Sequence, residues 1–331
     1  LIEQVMPSTS LIVTEKVEGM RQVRGIGSGF VINHEGTYYM VTNHHVIDGS
    51  SKIFTYFEHT PYDTIEATVK GFDKVADIAV LEIPQDREYS TVKFADHTKL
   101  KRGQDVFAVG NPHGLVFNVT KGIINHTERQ MNGRWPYAIS VQTDAVINQG
   151  NSGGPLFNMK GEVVAINTMI YSKGDPAKPN SGAGWDGIGM GARSDVIQET
   201  ILKILTRGGE IERASLGVSL ATLQPTIHEL AEEEFGTEIL SERGAALLAV
   251  SETGPAGMAG MKKGDIVLSV DGVTVLDSTE LSLIVQRADP GTTMSLYIER
   301  ETQFMTVNVV VDVFNPDTVT EPTEEEVAPA P

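Results

Sequence analysis

The sequence predicts a mainly β protein followed by a smaller, mixed α+β module. Between about residues 10 and 190, short apolar and β-branched runs recur between clusters of Gly, Asn, Asp and Pro. Beyond about residue 210 the pattern changes, and strand-like runs surround two helical stretches. The length of 331 residues also suits two domains, each with a hydrophobic core of ordinary size.

The strand-like runs of the first part favour an all-β sandwich or a pair of barrels over alternating strands and helices. The clearest runs are 29–32, 38–41, 78–81, 106–109 and 163–166. One helix follows them, because Ile197, Ile201 and Ile204 recur at helical spacing and Gly208 and Gly209 stand just past its end. We therefore expect the first domain to span 1–207.

The second module is predicted to span 208–312. Its strand-like runs are 216–220, 246–250, 266–270, 294–298 and 306–311, and its helical stretches lie near 226–235 and 278–288. The tail, 313–331, is rich in proline and glutamate and has little to bury, so the sequence predicts no fold for it.

Composition excludes several classes of function. With 26 basic and 44 acidic residues the formal net charge is −18, which argues against a nucleic-acid partner or attraction to anionic lipid. The absence of cysteine excludes a disulfide framework, a thiol nucleophile and a thiolate metal site. No apolar stretch approaches the length of a bilayer span. The sequence starts at Leu1 with no basic-then-apolar leader, as expected for a mature or trimmed chain.

The most informative segment is 148–156, in which Ser152 is enclosed by small residues immediately before an apolar strand. Glycines permit positive φ and the close approach of a substrate backbone, and consecutive amides can converge on one point. Such a loop can form an oxyanion pocket beside a serine nucleophile. The alternative for Ser-Gly-Gly alone is a flexible turn.

A serine nucleophile needs a base and an orienting carboxylate. His45 and Asp77 both stand where strands are expected to end or begin, and the order His, Asp, Ser is that of chymotrypsin-like enzymes. Asp73 is a rival for Asp77 but lies in the preceding turn. His44 and His45 invite a metal interpretation, but adjacent strand residues point to opposite faces, so we expect no metal and no cofactor.

Together these segments resemble the HtrA (Deg) family of trypsin-like serine proteases, which implies a chymotrypsin/trypsin-like double β-barrel followed by an α+β PDZ domain. The resemblance rests on motifs in both parts of the chain, with only the tail left uncovered. The protease motifs are Gly27-Ser28-Gly29-Phe30, 42–46, 77–81, Gly110-Asn111-Pro112 and 143–155, and the PDZ motifs are 254–256, 264–267 and 270–272.

The resemblance implies a role for each matching residue. Ser152 would be the nucleophile, His45 the general base and then acid, and Asp77 the residue that orients the imidazole. Gly150, Asn151 and Ser152 would form the oxyanion hole. Val146, six positions before the nucleophile, would lie at the base of the specificity pocket, and its apolar side chain implies cleavage after small or medium aliphatic residues. The loop 171–185 and the run 187–193 depart from the family pattern around this pocket.

In the second module, Leu216, Gly217 and Val218 resemble the carboxylate-binding loop of a PDZ domain, which captures C-terminal peptides as an added strand. Ser215 stands where an aromatic residue is often found. Leu281, Ile284 and Val285 are either the second wall of this groove or simply core residues.

The family resemblance also implies assembly and location. A homotrimer or higher oligomer is expected, with an apolar N-terminal surface that Ile2, Val5, Met6, Leu11 and Ile12 could supply, although the same spacing suits a first barrel strand. An extracytoplasmic location, periplasmic or membrane-associated, and a part in protein quality control are implied. The predicted function is a serine endopeptidase acting on unfolded proteins. The alternatives are a peptide-binding holdase or scaffold with a latent protease site, and an esterase.

Overall fold

The first part of the chain is built from two closed β-barrels, which confirms the predicted fold class and decides between barrel pair and sandwich. The strands of the first barrel are β1 (Thr9–Glu18), β2 (Arg21–His34), β3 (Thr37–Thr42), β4 (Lys52–Phe57), β5 (Thr60–Asp73) and β6 (Ile78–Glu82). They are hydrogen-bonded in the order β5-β4-β1-β2-β3-β6, and antiparallel pairing of β5 with β6 closes the ring.

The second barrel closes in the same way. After the short β7 (Lys93–Phe94), its strands are β8 (Asp105–Gly110), β9 (Asn118–Arg129), β10 (Ser140–Thr143), β11 (Pro155–Asn158), β12 (Glu162–Ile170) and β13 (Gly189–Arg193). Their order is β11-β8-β9-β10-β13-β12, with β11 paired to β12. Within the part of the chain that the structure describes, three α-helices accompany the barrels: α1 (Ile2–Val5), α2 (His44–Ile47) and α3 (Ser194–Arg207). Helix α3 ends at Gly208 with φ of 69°, as the sequence predicts.

The computed structural model describes residues 1–19, 21–111, 117–129, 139–170, 187–225 and 228–313. Within it the chain divides into two compact units, Leu1–Ile211 and Glu212–Pro331. The predicted loop 171–185, Pro112 and the tail beyond residue 313 lie outside the described residues. Strand β14 (Gly209–Glu210) pairs with β5, so this segment after α3 is still bonded to the first barrel.

Alternation along β2 shows how the two barrels share a core. Val31 packs with Met40 and Leu81 in the interior of the first barrel. Phe30 instead belongs to a buried cluster that includes Phe157 of the second barrel and side chains of α3. Residues 27–32 of β2 are therefore buried on both faces, which fixes their pairing register with β1 and β3. The catalytic-type motifs lie at this junction.

Three of the five N-terminal apolar residues are buried in their own unit, as in the second of the two alternatives. Val5 and Met6 are buried in the cluster between the barrels, and Ile12 is fully buried inside the first barrel. These three side chains cannot supply a surface for other subunits, because they already complete the core of their own unit. Of the N-terminal apolar residues named above, Ile2 is 39% exposed.

The second unit is a small sheet with helices. Its elements are β15 (Ala214–Ser215), β16 (Val218–Leu223), α4 (His228–Phe235), β17 (Gly244–Val250), α5 (Pro255–Met258), β18 (Ile266–Val270), β19 (Val273–Thr274), α6 (Ser278–Arg287), β20 (Thr293–Arg300), β21 (Gln303–Val310) and β22 (Asp312–Val313). The sheet order is β16-β17-β18-β20-β21, with β19 beside β18, and β15 pairs with β22. Both predicted helices are present, as α4 and α6. Helix α5 was not predicted because four residues are too few to show helical periodicity.

Candidate active site

A histidine and a buried aspartate form the closest side-chain pair of the site. Asp77 has no exposed surface, and its Oδ2 lies 2.6 Å from Nδ1 of His45. Its other oxygen, Oδ1, accepts the backbone amide of His45 at 2.8 Å. The carboxylate therefore holds both the ring and the main chain of the histidine, while Nε2 lies on the far side of the ring. This arrangement fixes the tautomer that a general base requires.

The local backbone explains the position of Asp77. The residue directly precedes β6 and has φ of 54°, a left-handed conformation that aspartate tolerates better than most residues. Its carbonyl oxygen accepts Nδ2 of Asn43 at 2.7 Å and the amide of His44 at 3.2 Å. The turn before β6 is therefore hydrogen-bonded to the turn after β3.

The prediction that His45 ends a strand is wrong in detail. Strand β3 ends at Thr42, and His45 lies one turn further on, in the helix α2. The opposite-face argument against a shared metal consequently does not apply, but the two histidines still diverge. His44 packs on Phe72, with ring centroids 4.7 Å apart, and its Nε2 is 3.8 Å from Asp48. Burial lowers the pKa of His44 below 6.5, and the Asp48 carboxylate opposes this shift.

Asp73, the rival carboxylate, has a different set of contacts. It is also fully buried, but its Oδ1 accepts the amides of Val75 and Ala76, both at 2.9 Å. These bonds close the turn between β5 and β6. The carboxylate beside His45 is that of Asp77.

The Ser152 loop packs directly against the segment that leads to His45. The carbonyl oxygen of Ser152 accepts the amide of Ser28 at 2.8 Å. Gly153 has φ of 83°, and a Cβ there would overlap the Ser28 carbonyl oxygen and the Thr42 hydroxyl and lie 3.0 Å from the amide nitrogen of Asn43. Only glycine permits this approach. The loop is therefore a packed element, which excludes the flexible-turn interpretation.

A second contact links the serine to the histidine turn. Oγ of Ser152 lies 3.5 Å from the carbonyl oxygen of Thr168, and Oγ1 of Thr168 accepts Nδ2 of Asn43 at 3.2 Å. Asn43 in turn holds the carbonyl of Asp77. One asparagine thus contacts both the aspartate segment and the strand beside the serine.

The amides predicted to form an oxyanion hole are available for a ligand. Within the described residues, neither the amide of Gly150 nor that of Ser152 donates a hydrogen bond to the protein. Gly150 has φ of 105°, which requires glycine. The Asn151 amide lies between them and donates to the carbonyl of Asn148 at 2.9 Å, so it is not a donor to substrate. The side chain of Asn151 instead holds the Val146 segment, because its Nδ2 donates to the Val146 carbonyl at 3.3 Å.

Val146 is only partly buried, and both bonds to its carbonyl oxygen come from side chains: Nδ2 of Asn151, and Oγ1 of Thr120 at 2.9 Å. The position six residues before Ser152 is thereby hydrogen-bonded to the Ser152 loop itself. Nearby, Oδ1 of Asp144 accepts the amide of Ile123 at 2.7 Å.

Four polar residues around the site have no chemical role predicted from the sequence: Ser28, Asn43 and Asn111, which lie in the protease motifs, and Thr168, which lies outside them. All four are buried polar side chains in a predicted β domain. The sequence offered one signal for Ser28 and Asn111. Each is a polar residue next to a glycine in a protease motif, and a polar side chain that is buried there must be hydrogen-bonded. Their hydrogen-bond partners are distant in sequence and could not be read from it.

The predicted carboxylate-binding loop of the second unit has an unexpected internal bond. Gly217 has φ of 70°, and its amide donates to Oγ of Ser215 at 3.0 Å. Leu216 is buried, and Val218 begins β16, which is the edge strand of the sheet. A peptide could add at this edge as a further strand.

The helix α6 packs beside β16, as a groove wall would. Leu281 and Val285 are buried in the core of the unit, whereas Ile284 is only partly buried. The question left open by the sequence is therefore resolved for two of the three residues, which are core residues.

The described residues contain no group of three or more histidine, aspartate or glutamate side chains placed to hold a metal ion. In the same part of the chain, no helix is both long and apolar enough to cross a membrane.

Two closed barrels that bring His45, Asp77 and the Ser152 loop together define the class of trypsin-like serine peptidases. Residues 27–166 match the trypsin-like peptidase domain, and 214–311 match the PDZ domain. The chain belongs to the HtrA (Deg) family, in which a peptidase domain of this class is followed by a PDZ domain. This confirms the resemblance drawn from the motifs.

Relatives and solved structures agree with this assignment. Proteins named probable periplasmic serine endoprotease DegP-like are 36% identical in Halomonas elongata and 38% identical in Rhizobium meliloti, over 87% and 91% of this chain. The chain spans 56% of the length of each. The structure of the HtrA-type protease AlgW with a tripeptide superposes with a TM-score of 0.78 at 29% identity, covering 95% of this chain and 96% of that one. The serine endoprotease from Yersinia pestis gives 0.66 at 27%, covering 95% and 97%.

Proposed function

We propose that the chain is a serine endopeptidase that cleaves exposed segments of unfolded or misfolded proteins through Ser152, His45 and Asp77. The observation that carries the proposal is the buried Asp77 carboxylate, bonded to both Nδ1 and the amide of His45 beside a serine loop with two available amides. The relatives' names, which describe serine endoproteases, support the same activity.

The chemistry follows from this geometry. Oγ of Ser152 attacks the carbonyl carbon of the scissile peptide while Nε2 of His45 takes the hydroxyl proton. The amides of Gly150 and Ser152 stabilise the negative oxygen of the tetrahedral intermediate. His45 then gives the proton to the leaving amine, and the acyl group stays on Ser152. Water attacks this ester with His45 again acting as base, which releases the product and restores the serine.

Incubation of the purified chain with unfolded casein, with and without a serine-directed phosphonate, tests this proposal. Mass spectrometry should find the phosphonate on Ser152 and loss of cleavage in the same sample. Ser152→Ala should abolish hydrolysis, a loss of about a million-fold, and leave the thermal unfolding midpoint near that of the wild type. Near-normal cleavage by this variant would refute the assignment. Casein protected from aggregation but never cleaved would favour the holdase instead.

Specificity is proposed to follow from Val146. An apolar residue at the base of the pocket cannot pair with lysine or arginine, so cuts should follow small or medium aliphatic residues. Cleavage-site mapping in an unfolded protein tests this. A dominant preference for basic residues would overturn it.

The PDZ domain supports peptide binding, since AlgW structures hold a tripeptide and a decapeptide. We propose that C-terminal peptides bind along β16 with the carboxylate at Leu216, Gly217 and Val218. Titration with a peptide carrying a free carboxylate, against its C-terminal amide, tests the site. Equal affinity for both peptides would exclude carboxylate capture.

The proposed setting is extracytoplasmic, periplasmic or membrane-associated, in protein quality control, because the relatives are named periplasmic. A homotrimer or higher oligomer is proposed by family resemblance. Sedimentation equilibrium tests the assembly, and a stable monomer at micromolar concentration would exclude it.

A further inference from the structure

Ser28 is hydrogen-bonded to the Ser152 loop through both its hydroxyl and its backbone amide, although it has no role in the chemistry described above. It lies in β2 of the first barrel and is 1% exposed. Its hydroxyl donates to the carbonyl oxygen of Gly150 at 2.7 Å. Oγ of Ser28 also accepts two hydrogen bonds from Asn111, one from the backbone amide at 3.1 Å and one from Nδ2 at 3.0 Å. Ser28 Oγ therefore both donates and accepts, and its single proton is committed to Gly150.

This bond acts on the peptide unit between the two proposed oxyanion donors. The carbonyl end of the Gly150–Asn151 peptide is held by Ser28, with the Asn111 amide 3.4 Å from the same oxygen. The amide end is held by the carbonyl of Asn148 at 2.9 Å. Holding both ends fixes the plane of this peptide. The flanking amides, those of Gly150 and Ser152, are thereby fixed relative to one another.

Glycine makes this support necessary. Gly150 has no Cβ and adopts φ of 105°, so sterics at the residue itself do little to prevent rotation of the adjoining peptide. The orientation must come from contacts. Of those, the bond from Ser28 is the shortest, and it links a strand of the first barrel to a loop of the second.

The nucleophile is anchored through a separate atom of the same residue. The backbone amide of Ser28 donates to the carbonyl oxygen of Ser152 at 2.8 Å. Replacing the side chain leaves this bond in place. A substitution at Ser28 can therefore disturb the oxyanion donors while Ser152 keeps its main anchor.

We propose that Ser28 is a positioning residue whose hydroxyl sets the orientation of the oxyanion loop. The inference rests on the proposed function, because it takes Gly150 and Ser152 as the donors to the tetrahedral intermediate. Loss of the hydroxyl leaves the Gly150 carbonyl without its shortest hydrogen bond. It also leaves each Asn111 donor with only its longer bond, from Nδ2 to the Ser10 carbonyl at 3.3 Å and from the amide to the Gly150 carbonyl at 3.4 Å. The peptide then reorients, and stabilisation of the intermediate is lost while binding of the ground-state substrate is kept.

The experiment compares Ser28→Ala and Ser28→Cys with Ser194→Ala. The cysteine variant leaves no cavity, because its side chain is somewhat larger than that of serine, but it offers only a weak S–H donor. Ser194 is a matched control, since it is also fully buried and its hydroxyl donates to a backbone carbonyl, that of Ala95, at 2.9 Å. For each variant, kcat and KM are measured on a peptide substrate. Affinity is measured for a peptide boronate, which places an oxygen in the oxyanion hole, and the thermal unfolding midpoint is recorded.

We expect both Ser28 variants to lower kcat by about tenfold to a hundredfold, below the loss for removing a whole oxyanion donor. KM should change by no more than about twofold, and boronate affinity should fall in parallel with kcat. Ser194→Ala should keep kcat even if its unfolding midpoint drops as far.

Two results would overturn the inference. The first is kcat within about threefold of wild type in a folded Ser28 variant. The second is an equal loss in Ser194→Ala, which would show a general effect of stability. If Ser28→Ala does not fold, Ser28→Cys decides. Failure of the proposed function is distinct: the wild type itself would neither cleave casein nor take phosphonate at Ser152.

Discussion

Replacing Asp77 with asparagine is the sharpest single test of the His45–Asp77 pair. Asparagine preserves the shape of the side chain and tolerates the φ of 54°, so the backbone at the start of β6 should be kept. Its Oδ1 can still accept the amide of His45. Its NH2 group, however, would face Nδ1 across the present 2.6 Å contact, and two donors cannot meet there.

The ring must then give up its proton at Nδ1 and carry it at Nε2. A histidine protonated at Nε2 cannot accept the proton of Ser152. The same change in chymotrypsin-like enzymes costs about 10⁴-fold in kcat, or about 5.5 kcal/mol of the activation barrier at about 1.4 kcal/mol per tenfold. We expect a loss of this size here, with an unfolding midpoint close to that of the wild type.

The assay is kcat on a quenched peptide substrate at neutral pH, with thermal unfolding of each variant. Asp73→Asn is the matched control, because Asp73 is an equally buried carboxylate whose Oδ1 accepts two backbone amides that asparagine can also accept. Its activity should stay within a few-fold of wild type. A folded Asp77→Asn variant with more than about a tenth of wild-type kcat would show that the aspartate does not set the tautomer.

Three further predictions concern positions around the two sites. Gly153→Ala should inactivate the enzyme and lower its unfolding midpoint, since the new Cβ would overlap backbone and hydroxyl oxygens at a φ of 83°; wild-type turnover would contradict this. Burial holds the pKa of His44 below 6.5, so the unfolded chain binds the proton more readily. The contribution of the neutral His44 ring to the free energy of unfolding is therefore fully present above about pH 6.5, and it is lost as the pH falls toward the folded-state pKa. Denaturant titrations from pH 5 to 8 should show a smaller loss of stability in His44→Asn than in the wild type. Ser215→Ala should release the Gly217 amide and raise affinity for a free C-terminal peptide about two- to tenfold, with no change for the amidated peptide; calorimetry measures both, and an unchanged affinity would mean that the serine does not compete.

Local patterns were sufficient to predict most elements of the fold. β-Branched runs predict the strands, and the spacing of Ile197, Ile201 and Ile204 predicts α3, because these properties are local. Closure of the first barrel depends on pairing between β5 and β6, which places Val69 opposite Leu81. Barrel closure is a relation between strands, so apolar runs alone allowed a sandwich as well.

The site was predicted at the level of residues but not of geometry. His45, Asp77 and Ser152 follow from motif and order, whereas the helix that carries His45 is a single turn with no periodicity to detect. The left-handed φ of Asp77 was equally hidden, since the sequence gives only a residue type that tolerates it. The internal bond at Gly217 depends on the χ1 angle of Ser215, and no spacing rule predicts a rotamer.

The glycines around Ser152 explain why the site requires both barrels. A Cβ at Gly27 would lie 2.6 Å from Cγ1 of Val46 and 3.3 Å from the carbonyl oxygen of Ser152. Val46 follows His45, so this one glycine lies where the histidine turn and the serine loop converge. The bonds from Ser28 to the same loop begin one residue later along β2. Neither barrel alone can hold His45, Asp77 and Ser152 in this arrangement, because the Ser152 loop of the second barrel is shaped by contacts with β2 of the first. It follows that weakening the core shared by the barrels should lower activity before either barrel unfolds.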